Sequence, residues 1–74
     1  SEAETLNNFG GAYDQFGEKQ QALDSYSQAL LLFRVVRNRR GEATALNNIG
    51  SVYSDLGEKQ KALDFYNQAL PLRD

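Results

Sequence analysis

Gly17-Glu18-Lys19-Gln20-Gln21-Ala22-Leu23-Asp24 returns forty residues later as Gly57-Glu58-Lys59-Gln60-Lys61-Ala62-Leu63-Asp64. Setting residues 2–34 against 42–74 gives 19 identical pairs out of 33. Among them are Leu6/Leu46, Asn7/Asn47, Asn8/Asn48, Gly10/Gly50, Tyr13/Tyr53, Tyr26/Tyr66, Ala29/Ala69 and Leu30/Leu70. Self-similarity at a fixed period of this length confines a chain to a stack of like units, each too small to bury its own apolar face. The chain therefore reads as two copies of one unit, 1–40 and 41–74, each turning at its Gly-Glu-Lys-Gln.

Hydrophobic spacing says what the unit is. Ala3, Leu6, Gly10 and Tyr13 fall on one helical stripe, with Phe9, Ala12 and Phe16 on a neighbouring one. This predicts a helix over 2–16, with Glu2 and Glu4 placed to suit its dipole and Gly17 to stop it. A glycine inside a helix costs about 1 kcal/mol against alanine. Gly10 and its copy Gly50 therefore point to close approach of a neighbouring helix. A second helix follows from near Glu18, with Ala22, Leu23, Tyr26, Ala29, Leu30 and Phe33 as its apolar face. The short turn makes the two helices antiparallel neighbours. Leu31, Leu32, Val35 and Val36 extend that face, and a helix apolar over most of its girth is expected to contact both helix one and the next unit. Asn38-Arg39-Arg40-Gly41 is the expected link. Helix three is expected over about 42–56 and helix four from about Glu58, with Pro71 fraying, bending or ending it near Leu70. No strand pattern or low-complexity segment occurs. The predicted architecture is all-α: two helix-turn-helix units, four helices.

Composition narrows the function. The 74 residues form one domain, which buries only about 60–65% of its unfolded surface. There is no cysteine and no histidine, so neither a disulfide nor a thiolate or imidazole metal ligand is available. Neither a metal nor a cofactor is expected. The net charge of −2 gives no pull towards nucleic acid or an anionic membrane. The longest apolar run, 29–33, is far below the roughly 20 residues of a membrane span. No segment reads as a leader, and the expected setting is cytoplasmic. Both ends fall at matching points of the repeat, which reads as a piece of a longer array.

The match through Leu6, Phe9, Gly10, Tyr13, Gly17, Ala22, Tyr26 and Ala29, and again through Leu46, Ile49, Gly50, Tyr53, Gly57, Ala62, Tyr66 and Ala69, resembles the tetratricopeptide repeat, a helix-turn-helix unit. The sequence departs from it in three places. Leu6 and Leu46 stand where tryptophan is usual, Lys19 and Lys59 stand two residues after the turn glycine where an aromatic is usual, and the terminal proline is displaced. The forty-residue period and Gly41-Glu42-Ala43-Thr44-Ala45-Leu46-Asn47-Asn48-Ile49-Gly50 are similar to the long-helix repeats of kinesin light chains, Leu-Gly-Asn-repeat regulators and bacterial multi-repeat proteins. The resemblance implies a short right-handed α-solenoid that binds a protein or peptide partner. It also implies that the first helix of each unit lines the concave surface. By position that surface holds Glu4, Asn7, Asn8, Gly11 and Asp14, then Thr44, Asn47, Asn48, Ser51, Ser54 and Asp55. Asparagine carries a donor and an acceptor and can pair with an extended backbone. The competing reading has Asn8 and Asn48 bonding within the scaffold. A basic clamp for a peptide C-terminus, as some relatives have, is not predicted, because none of these residues is basic.

Other features take plainer readings. Arg34, Arg37, Arg39 and Arg40 could hold phosphates, but a short cluster in an acidic chain is better explained as complementing a helix C-terminus and solvating a loop. Tyr13, Tyr26, Tyr53 and Tyr66 recur with the repeat and read as packing residues. Asp24, Asp64, Glu18 and Glu58 read as helix-surface and first-turn charges. Catalysis finds no support: there is no phosphate-cradling loop and no carboxylate pair at a working distance in a pocket. Two units are fewer than the three such stacks usually need. Leu31, Leu32, Val35 and Val36 are therefore expected to drive self-association. It would come by end-to-end stacking or by exchange of units through a straightened 38–41 link.

Overall fold

A computed structural model describes residues 1–72. It contains α1 (Glu2–Gln15), α2 (Lys19–Val35), α3 (Arg39–Asp55), α4 (Lys59–Ala69) and a short 3₁₀ turn, Leu70–Leu72. The three inter-helix connections are one turn made three times, at 16–18, 36–38 and 56–58. In the first, the Gly17 N–H donates to the Asp14 carbonyl at 3.0 Å and the Glu18 N–H to the Tyr13 carbonyl at 2.8 Å. The second repeats this with Arg37 to Arg34 (3.1 Å) and Asn38 to Phe33 (2.9 Å), and the third with Gly57 to Ser54 (3.0 Å) and Glu58 to Tyr53 (2.9 Å). This crossed pair of bonds closes a helix when its middle residue is left-handed. Gly17 (φ +79°) and Gly57 (φ +81°) adopt that conformation freely, and Arg37 (φ 58°) adopts it against its Cβ.

The link between units is corrected accordingly. Helix three starts at Arg39 rather than Glu42, and 39–41 form its first turn. The Asn38 side-chain oxygen caps it, accepting from the Gly41 N–H at 2.9 Å. The chain reverses at 36–38 instead of being linked by 38–41. At the far end, α4 stops at Ala69 and the 3₁₀ turn carries Pro71.

Packing follows the order of the chain: α1 on α2, α2 on α3, α3 on α4, with α1 and α3 also touching. This is an all-α solenoid of two helix-turn-helix units. Helix α3 is covered from two sides, so Ala43, Ala45, Leu46, Ile49, Gly50 and Val52 are all buried, Leu46 and Val52 completely. The close approaches expected at the helical glycines are present. A Cβ on Gly10 would lie 2.5 Å from the Tyr26 ring, and one on Gly50 would lie 2.8 Å from the Tyr66 ring. The Phe33 ring seats over Gly41 in the same way, which locks the end of α2 onto the start of α3.

Two expectations about apolar positions change. Leu31, Val35 and Val36 are not covered by the next unit: they are 60%, 76% and 67% exposed. That flank of α2 faces outward. Phe9 and Phe16 are exposed as well, as is Leu56, the copy of Phe16 in the second unit. Among the recurrent tyrosines Tyr26 is buried and Tyr66 half-buried, while Tyr53 stacks on Phe65 at 5.5 Å and Tyr13 is partly open.

Candidate partner-binding face

Helices α1 and α3 run in the same direction, because each is antiparallel to α2 between them. Two side-chain links fix their register. The Asn48 Nδ2 donates to Asn7 Oδ1 at 3.2 Å. Two turns further on, the Lys19 ammonium donates to Asp14 Oδ1 at 2.6 Å and to Asp55 Oδ2 at 3.1 Å. Both α1–α3 pairs, 7/48 and 14/55, are 41 residues apart, so one register holds along the shared face.

Four of the eleven candidate residues are thereby engaged in these links. Asn7, Asn48 and Asp14 are half-buried, and Asp55 is exposed. Asn48 takes the scaffold role weighed for it. Asn8, its copy in the first unit, is exposed, as is Asn47, the copy of Asn7. Gly11 is half-buried, and Ser51, its copy on α3, is exposed. A Cβ at Gly11 would meet only the Tyr26 hydroxyl, at 3.6 Å. Packing therefore leaves room for a side chain there. Glu4 is held by the N-terminal ammonium at 3.0 Å, and that hydrogen bond keeps its carboxyl below the usual range. The Thr44 hydroxyl donates to the Arg40 carbonyl, and Ser54 is exposed.

Lys19 is the residue that the sequence reading passed over. It stands where the repeat usually has an aromatic, and it carries a cation from the first turn of α2 to the α1/α3 face. Hydrogen bonds to Asp14 and then Asp55 raise its pKa above the ordinary lysine value. With two carboxylates around one ammonium, the group is net negative.

Three stacked antiparallel helix turns, glycine-over-aromatic contacts within each unit and a shared face formed by the first helices are the layout of one repeat class. The sequence matches the tetratricopeptide repeat family over residues 1–74. The chain belongs to the tetratricopeptide repeat family. A comparison with curated protein sequences finds no match. Family membership places the chain among modules used for protein–protein interaction and scaffolding, which are typically not enzymes. No described helix of this tetratricopeptide repeat chain is long and apolar enough to cross a membrane.

The arginines are structural where their partners are seen. Arg34, in the last turn of α2, pairs with Glu42 at 2.9 Å. Arg39 reaches the Pro71 carbonyl at 3.1 Å, which ties the start of α3 to the 3₁₀ turn that follows α4. Only Arg34 and Arg37 sit at a helix C-terminus. Arg39 and Arg40 lie in the first turn of α3, so the dipole explanation does not extend to them. Of the four apolar residues assigned to self-association, Leu31, Leu32 and Val36 line two shallow grooves. One, of about 310 Å³, is formed with Glu2, Leu6 and Gln28, and the other, of about 120 Å³, with Ser1, Glu2 and Ala3. Val35 is exposed away from both.

Proposed function

We propose that the α1/α3 face binds an extended or helical peptide segment of a protein partner. The observation that carries this reading is that Asn8, Asn47 and Ser51 are exposed, and Gly11 half-buried, on two helices that other side chains lock in register. A face fixed before binding loses little freedom on binding. Exposed carboxamides can pair with both the N–H and the C=O groups of a peptide backbone. Gly11 lets that backbone come close to α1. The Asp14–Lys19–Asp55 group leaves one negative charge at the turn end, so the reading favours a neutral or basic segment over an acidic one. No catalytic step is assigned to the face.

The test uses peptides selected from a random library against the whole chain. Asn8→Ala together with Asn47→Ala should weaken their binding about tenfold, the effect of losing roughly 1.4 kcal/mol of contacts, with helicity unchanged. Unchanged affinity in that double variant contradicts the reading.

A second reading is favoured by the Asn7–Asn48 and Asp14–Lys19–Asp55 links. They engage Asn7, Asp14, Asn48 and Asp55 in joining the two units, as in a spacer or self-associating segment with no ligand of its own. On this reading the library yields no peptide whose binding depends on Asn8 or Asn47.

A further inference from the structure

Each end of the stack carries a copy of a surface that is buried in its middle. On α3, Ala45, Ile49 and Val52 are 0–2% exposed beneath α2. Their copies on α1 are Thr5, Phe9 and Ala12, all exposed, Phe9 by 55%. On α2, Leu23 and Leu30 are 9% and 7% exposed, whereas their copies, Leu63 on α4 and Leu70 at the start of the 3₁₀ turn that follows it, are 52% and 55% exposed. Among the described residues, none covers these faces of α1 and α4. The 310 Å³ groove opens on the same end as α1, beside Glu2 and Leu6. At the matching place in unit two, the end of α2 crosses, with Phe33 over Gly41 and Arg34 paired to Glu42.

We propose that a second copy of this chain covers these ends, the α4 face of one copy seating on the α1 face of the next in the register of α2 on α3. The complementarity is the one the chain already uses inside itself. The polar link repeats with it: Asn47 and Asn8 are the exposed copies of Asn7 and Asn48, so the amide pair at 3.2 Å has its counterpart across the new contact. The Lys19–Asp55 pair does not repeat, because its copies are Lys59 and Gln15. The contact between copies is therefore weaker than the one within the chain and reversible. It is also heterologous, joining two different patches, and does not close on itself. Head-on-head pairing of two α1 faces is disfavoured because it gathers Glu2 and Glu4 from both copies. The Leu31–Val36 flank is not the main contact in this arrangement.

The test is solution mass by light scattering on the 74-residue chain across a concentration series. The mass should rise with concentration beyond that of a dimer. Phe9→Glu blocks one end and Leu63→Glu the other, so each variant alone should show the mass of one chain. Mixed one to one, the intact α1 face of the Leu63 variant and the intact α4 face of the Phe9 variant should join, and the mass should double. Far-UV circular dichroism checks that both variants keep their helicity, and Ala12→Glu with Leu70→Glu probes the same two faces at other positions. A parent chain that stays at one-chain mass at every attainable concentration overturns the proposal and assigns the ends to neighbouring repeats of a longer polypeptide. Monomeric variants that fail to recombine overturn it in favour of a symmetric pair. Association that survives both end variants but not Val35→Glu moves the contact to the outer flank of α2.

Discussion

Gly10 and Gly11 are neighbours of one type with opposite constraints. At Gly10 a methyl would run into the Tyr26 ring at 2.5 Å, whereas at Gly11 it would rest at van der Waals distance from the hydroxyl of the same tyrosine. Gly10→Ala should therefore cost about 1–3 kcal/mol as the ring is forced aside. Gly11→Ala should gain about 1 kcal/mol from helix propensity and raise the melting temperature by about 4–8 °C. Thermal melts of the two variants give the comparison directly. If Gly11→Ala also abolishes peptide binding, the open backbone there serves the partner and not the fold. Arg37→Gly should raise stability by about 1 kcal/mol, since the left-handed conformation costs an L-residue about that much. That a glycine inside the helix marks close approach was readable from the repeat of Gly10 in Gly50. The contrast with Gly11 was not, because it depends on where one ring atom of another helix comes to lie.

Among the elements, the turns decide the layout. Two of the three were legible because glycine marks them. The third was hidden, because Arg37 holds the position that glycine holds at 17 and 57, and 38–41 then looked like a linker. Asn38 as a cap was equally hidden by that misplacement. The Asp14–Lys19–Asp55 link joins three helices, so no pattern along any one of them announces it. Its consequences are measurable. Lys19→Met should lower stability at low salt and have less effect at high salt, where the pairing is screened. Two groups set the pH dependence on the alkaline side. Lys19 holds its proton more tightly when folded, through Asp14 and Asp55, and Tyr26 does so because burial, and then the Asp14 charge, disfavour the phenolate. Both pKa values are raised on folding. Their contribution is whole below the unfolded values of about 10 to 10.4 and is lost as pH climbs through the folded ones. The midpoint of chemical unfolding should fall in that alkaline range, and less steeply in Tyr26→Phe and Lys19→Met.

For the whole molecule, identical residues in the two copies have different weight. Leu46 is fully buried in α3, while Leu6, its copy in α1, is only half-buried at the open end. Leu46→Ala should cost about 3 kcal/mol or more, enough to unfold a marginal domain, and Leu6→Ala markedly less. Urea titrations of the two variants measure the asymmetry. The stack itself was legible from the forty-residue period. Which copies end up buried was not, since the repeats are alike in sequence and differ only in having a neighbour. The functional claim is that the face shared by α1 and α3 receives the partner. The most direct measurement is an amide nitrogen–proton correlation spectrum of the chain titrated with a library-selected peptide. The account predicts that the shifts concentrate at Asn8, Gly11, Asn47 and Ser51. Shifts confined to the outer flanks of α2 and α4, with those four amides unmoved, would contradict it.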